Sequence, residues 1–152
     1  MMKELQNLAL AHSRQKYPNF PEHARVIRKY TDKTANGLTK CIIDWVTMSG
    51  YQAERISSMG RMIDNRETYT DVVGRTKTIG STKWIPGSST KGTADISATI
   101  KGRSIKIEVK IGKDRQSDAQ KAYQLQVEKA GGVYIIVKTF EDFYNWYQTF
   151  TT

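Results

Sequence analysis

Between Ala94 and Lys110 apolar and polar residues alternate with a period of two, and no other stretch constrains the fold as tightly. Successive side chains of a strand point to opposite faces, so Asp95, Ser97 and Thr99 share one face and Ile96, Ala98 and Ile100 the other. The pattern repeats with Ile105, Ile107 and Val109 against Lys106, Glu108 and Lys110. Lys101-Gly102-Arg103 lies between the two runs, and a short Gly-containing connector between alternating runs predicts a β-hairpin. Directly opposed residues of an antiparallel pair lie on one face of the sheet, which restricts the register. One allowed register sets Asp95 opposite Glu108; the next sets it opposite Lys110, with Glu108 one step diagonal. Either way two carboxylates and an ammonium share a face, with Cβ atoms roughly 5 to 8 Å apart.

The 152 residues predict one domain, able to bury roughly two thirds of the unfolded surface. No apolar run approaches the ~20 residues of a membrane span, and the Met1-Met2-Lys3-Glu4 start lacks a secretory core, so a cytoplasmic setting is expected. Cys41 is the only cysteine, which excludes an internal disulfide and a Cys-based zinc site; its apolar neighbours predict a packed core thiol. With two histidines, His12 and His23, a structural zinc site is excluded as well. The net charge of +9 is spread along the chain and suits a polyanionic partner.

A helix is expected over residues 2–15, packed on the main domain through Leu5, Leu8 and Ala9, followed by a connector broken by Pro18 and Pro21. Residues 25–33 form a basic linker. Leu38, Cys41, Ile42, Trp45 and Val46 give a helix over 34–49 its apolar face, with Thr34 or Asn36 as its cap and Gly50 as its stop. A short strand over 52–57 follows. From 58 to 91 periodicity is lost, and Gly, Thr and Ser residues predict a loop or irregular hairpin. No acid falls between Asp71 and Asp95, whereas Arg75, Lys77, Lys83 and Lys91 are basic; with Trp84, such an arm suits phosphate contact and base stacking. Trp84 is equally readable as a core strand residue. Lys113 and Arg115 add charge in the turn after the hairpin. Ser117 and Gln120 have the spacing of a capping box for a helix that ends at Gly131-Gly132. Val133 to Val137 reads as a strand covered on both faces, and 140–150 as an aromatic helix. The strand, helix and strand from Lys106 to Val137 make a right-handed crossover, so a mixed sheet with helices on both faces is expected.

Two carboxylates on adjacent strands form a hard-oxygen site suited to Mg2+ or Mn2+, and the Val109 carbonyl offers a further ligand. Lys110, on the same face as Glu108, is placed to orient a water or stabilise a phosphoryl transition state. On spacing alone, a solvated ladder of cross-strand ion pairs, each under about 1 kcal/mol, explains the same residues.

The motifs Gly92-Thr93-Ala94-Asp95, Ile107-Glu108-Val109-Lys110, Ser117-Asp118-Ala119-Gln120 and Gly131-Gly132-Val133-Tyr134, in this order, resemble those of the VRR-NUC family within the PD-(D/E)xK nuclease superfamily. The resemblance covers roughly residues 34–140. It implies a restriction-endonuclease-like α/β core (αβββαβ) over 34–152, a mixed central sheet flanked by helices, with residues 1–33 as an extra N-terminal helix and linker. It implies Mg2+- or Mn2+-dependent cleavage of DNA, structure-specific resolution of branched DNA and Holliday junctions among small phage and bacterial members, and homodimers in some of them. Carried over by residue, Asp95 and Glu108 match metal ligands, Val109 the carbonyl ligand, Lys110 the catalytic lysine and Gln120 the family's glutamine. The chain departs from the pattern where such nucleases carry a glutamate on the first core helix. Asn36, or Glu54 nearby, stands in that place. That departure leaves a second reading, a non-catalytic DNA-binding module on the same fold; RNA as substrate is a third.

Overall fold

The computed structural model describes residues 1–57, 60–87 and 90–152. In chain order the elements are α1 (Met2–Lys16), α2 (Ala35–Met48), β1 (Gln52–Arg55), β2 (Arg61–Asp64), β3 (Glu67–Thr70), β4 (Thr76–Ile79) and β5 (Thr82–Ile85). Then come β6 (Ile96–Ile100), β7 (Arg103–Val109), α3 (Asp118–Lys129), β8 (Val133–Val137) and α4 (Phe140–Thr151). The chain is mixed α/β and divides into two compact units, Met1–Ile56 with Gly92–Thr152, and Ser57–Lys91.

The first unit is built on a four-stranded mixed sheet in the order β1-β6-β7-β8. β1, β6 and β7 are antiparallel neighbours, and β8 returns parallel to β7 after α3. The β6–β7 hairpin closes on two residues, Lys101 (φ 50°) and Gly102 (φ 75°). Positive φ at both central positions matches the right-handed twist of the flanking strands, and Gly102 accepts it without steric cost.

One sheet face is apolar. Ile96, Ala98, Ile100, Ile105, Ile107 and Val109 are buried in one cluster with Leu38, Cys41, Ile42, Trp45 and Val46 of α2 and Phe140, Phe143 and Tyr147 of α4. Each large side chain withdrawn from water in this way is worth about 2–3 kcal/mol. Thr34 caps α2 by accepting the Gly37 N–H at 3.1 Å, and Gly50 (φ 88°) follows its end. Trp45 meets Tyr144 edge-on, with ring centroids 5.0 Å apart, an arrangement that favours aromatic pairs. Leu5 and Ala9 bury the face of α1, as their spacing predicts. Two arginines of the basic linker hold structure: Arg25 bonds Ser13 Oγ and the Tyr17 and Phe20 carbonyls, and Arg28 pairs with Asp44 at 3.1 Å.

The expectation that β8 is covered on both faces needs correction. Val137 is buried and Val133 and Ile135 pack against the core, and on the other face Tyr134 lies beneath α3, its ring 6.3 Å from that of Tyr123. Ile136, however, is 43% exposed, because β8 is the edge strand of the sheet.

The second unit is a ribbon. β2 pairs with β5 and β3 with β4, and both ladders keep one register, Asp64 opposite Thr82 and Glu67 opposite Ile79. Backbone bonds from Asn65 to Ser81 and from Asp71 to Arg75 continue that register between the ladders and at the tip. Of the loop or irregular hairpin expected over 58–91, the hairpin is found, as a two-stranded arm from Arg61 to Ile85; residues 58, 59, 88 and 89 lie outside the described ones. Its strands are almost wholly exposed, so no buried face imposes the alternation by which strands are recognised. Trp84 is 58% exposed, against the core placement; its ring lies on Gly60, where an added Cβ would come within 2.6 Å of it. No helix among the described residues is long and apolar enough to cross a membrane.

Candidate active site

The register of the hairpin decides the geometry. Ile96 stands opposite Ile107, so Asp95, the residue before β6, falls opposite Glu108, the first of the two registers allowed by the alternation. Asp95 Oδ2 accepts the Val109 N–H at 2.9 Å, and its carbonyl accepts the Ile56 N–H at 2.8 Å, so the residue is pinned where β6 leaves the ladder. Gly92 permits the approach: its φ is 83°, and a Cβ there would lie 2.3 Å from the Ala119 carbonyl oxygen. That contact seats the Gly92-Thr93-Ala94-Asp95 turn against the first turn of α3.

Glu108 is 1% exposed and fully engaged. Its Oε1 accepts from Lys110 Nζ at 3.0 Å and from Gln120 Nε2, and its Oε2 accepts the Tyr134 hydroxyl at 3.2 Å. Burial pushes the Glu108 carboxyl above the usual carboxylate range, with the Asp95 charge adding to the rise and Lys110 and Tyr134 opposing it. Burial acts to lower the Lys110 ammonium, but Glu108 and then Asp114 outweigh it and hold the group above its ordinary value. Lys110 Nζ also reaches Asp114 Oδ2 at 3.3 Å and Gln120 Oε1 at 3.1 Å.

Gln120 has two jobs. Its Oε1 accepts the Ser117 N–H at 2.9 Å and its own N–H donates to Ser117 Oγ at 3.3 Å, completing the capping box of α3. The same amide bridges Glu108 and Lys110. The helix start and the site are thus locked to each other through one side chain.

Tyr134 and Asp114 escape a reading of the sequence. Tyr134 pairs with Lys106 across the parallel β7–β8 ladder and so lies on the face of Glu108. The one hydroxyl in an otherwise aliphatic strand is the available sign. Asp114 sits in the turn after β7, where spacing gives no direction.

The remaining candidates are placed by their own elements. Asn36 is exposed in the first turn of α2, beside a hollow of about 380 Å³ lined by Arg28, Lys29, Tyr30 and Lys40 among others; among the described residues no partner of Glu108 comes from α2. Glu54 is opposite Ser97, on the sheet face of Asp95 and one diagonal step from it. Lys113 and Arg115 are exposed before α3. Arg75, Lys77 and Lys83 belong to the ribbon, where Lys77 pairs with Asp71 at 3.4 Å, and Lys91 is exposed at its end.

The donors on this face are oxygens, the type that a hard cation takes. Among the described residues no group of three or more His, Cys, Asp or Glu is placed to hold a metal ion, and the acids opposed across the hairpin are Asp95 and Glu108. Two carboxylates completed by neutral oxygens fit magnesium, which keeps several waters. No family model matches the chain, and no curated protein shows significant similarity to it.

Proposed function

We propose that this chain is a metal-dependent DNA endonuclease with a restriction-endonuclease-like core of the VRR-NUC type. The observation that carries the reading is the placement of Asp95 opposite Glu108, with Lys110 and Gln120 bonded to Glu108 on the same face. The succession α2-β1-β6-β7-α3-β8 agrees with the αβββαβ order of that core. Asp95, Glu108 and the Val109 carbonyl would hold Mg2+ or Mn2+; such an ion polarises a phosphoryl oxygen and lowers the pKa of a coordinated water.

The chain's own groups then divide the work. Asp95 is kept in place by the Val109 N–H, and Glu108 by Tyr134 from behind. Lys110 shares Glu108 Oε1 with Gln120 and is also held by Gln120 Oε1 and Asp114, so if a cation were to take the Glu108 oxygen these two groups would keep the ammonium at the site. An ammonium held so near the scissile group stabilises the charge that develops on phosphoryl oxygens.

A second reading, a DNA-binding module without turnover, draws on the same ion pair: Lys110 already neutralises Glu108, and α2 carries Asn36 where such nucleases carry a glutamate. Branched, flapped, single-stranded and plain duplex DNA incubated with Mg2+ or Mn2+ separates the two. Cleavage by wild type that Glu108→Ala and Lys110→Ala abolish supports the enzyme. Equal cleavage by all three proteins, or none on any substrate, removes it.

A further inference from the structure

The ribbon of the second unit has two chemically different faces. Within each ladder the odd-numbered residues share one face and the even-numbered ones the other, and the Asn65–Ser81 backbone bond keeps the two ladders in step. The even face carries Met62 opposite Trp84, the Asp64–Arg66 ion pair at 2.7 Å, and threonines, Thr68 Oγ1 lying 3.0 Å from Thr78 Oγ1. The odd face carries four cations, interleaved with Ile63, Tyr69, Ile79 and Ile85. Arg61 and Lys83 lie near the base and Lys77 and Arg75 near the tip, with Asn65 and Ser81 opposed between them. Its acids are Glu67 and Asp71, and Asp71 is neutralised by Lys77 and by the backbone N–H groups of Val73 and Arg75.

We propose that the odd face of this ribbon is a duplex-DNA-binding surface that lies along the major groove. The inference deepens the DNA reading given above but does not depend on the metal site. An isolated two-stranded hairpin in water is marginal, and a ribbon of this length needs a partner surface to become rigid. Charge complementarity selects the partner: the segment Ser57–Lys91 has six Lys and Arg against three Asp and Glu, and the one ion pair on the even face removes Arg66 from the surplus. The major groove, about 12 Å wide, admits a two-stranded ribbon. Six to ten residues separate the basal cations from those at the tip, which at ~3.3 Å per residue is about 20 to 33 Å. That span exceeds the groove's width and lies within the ~34 Å of one helical turn, so the ribbon runs along the groove and not across it. Cations at its two ends then meet phosphates, and Asn65 and Ser81 face the base edges. Trp84 is on the wrong face for this contact, with one side of its ring taken by Gly60.

The test is binding of a fluorescein-labelled 20-base-pair duplex by the full chain in EDTA, followed by anisotropy across a salt series. Arg75→Ala with Lys83→Ala removes one cation from each end; neither side chain has an acidic partner among the described residues. Thr76→Glu with Thr78→Glu makes the same net-charge change on the even face. The first pair should weaken binding about tenfold or more and reduce the slope of log K against log salt by about two. The second should change affinity less than threefold. Equal losses from both pairs, no binding by wild type at 50 mM salt, or a dimer in light scattering that only the odd-face pair dissociates would overturn the proposal, the last by giving the face to a second copy of the chain. Retained binding by a Glu108→Ala protein that cannot cleave leaves the ribbon's role intact, and normal cleavage after the loss of odd-face binding leaves the metal site intact.

Discussion

Lys110 Nζ lies 3.0 Å from Glu108 Oε1 with both side chains almost wholly out of solvent. An ion pair so buried is costly to form, and removing one partner is costlier because the other is left unpaired. Lys110→Met should therefore destabilise the protein by about 3–5 kcal/mol in EDTA. Glu108→Gln with Lys110→Met should recover most of that loss, since neither member of the buried pair is left charged and the Asp114 carboxylate that loses Lys110 is exposed to solvent. Urea denaturation of the two single variants and the double variant measures the coupling directly, and additive losses would mean that the pair is not coupled. The raised ammonium also gives a sign: its contribution is fully present below about pH 10.5 and is lost as pH rises through the higher folded value.

Gly92 offers a test of how the Asp95 turn is seated. Gly92→Ala combines a left-handed backbone with a Cβ that would press on the Ala119 carbonyl, which no side-chain rotation relieves. A loss of about 3 kcal/mol is expected from the two costs together. Gly50→Ala shares the positive φ, 88°, but has open space around the added Cβ, so it should lose only about 1 kcal/mol. Equal melting temperatures for the two variants would show that the contact with α3 carries no weight.

The parts of the fold that could be read in advance are those in which one face is buried. A strand with a wet and a dry side must alternate, so the β6–β7 hairpin and the shared face of Asp95, Glu108 and Lys110 follow from Ala94 to Lys110 alone. The ribbon has no dry side, and its strands left no period to detect. Tyr134 was hidden for another reason. Its bond to Glu108 depends on the parallel pairing of β8 with β7 after a helical crossover, and no local pattern specifies that register.

Cys41 should behave as an inert thiol. Burial on α2 pushes it up to about 11, and its Sγ–H faces the Thr31 carbonyl at 3.6 Å. A disulfide reagent at neutral pH should label unfolded protein in urea and leave the native protein unlabelled. The unfolded thiol ionises near pH 9 and the folded one near 11, so its contribution is intact below pH 9 and falls by about 1.4 kcal/mol per pH unit above it. The stability advantage of wild type over Cys41→Ala should shrink between pH 9 and 11; a constant difference would place the thiol in water.

Ser117 and Gln120 separate the cap from the chemistry. Ser117→Ala removes the oxygen that accepts the Gln120 N–H but leaves the Gln120 amide on Glu108 and Lys110. It should cost about 1 kcal/mol of stability, in the range for lost helix caps, and leave metal-dependent cleavage unchanged below the melting transition. Gln120→Ala loses the reciprocal bond to the Ser117 N–H as well as both site contacts, so its stability should fall by a similar amount. Its cleavage rate should fall too, by the 10–100-fold typical when a group that orients a metal ligand is removed. On the proposed nuclease reading the reason is physical: Glu108 Oε1 then has Lys110 as its remaining donor, and the ammonium proposed to act on phosphate stays on the carboxylate. Matched cleavage rates for the two variants would confine Gln120 to the cap.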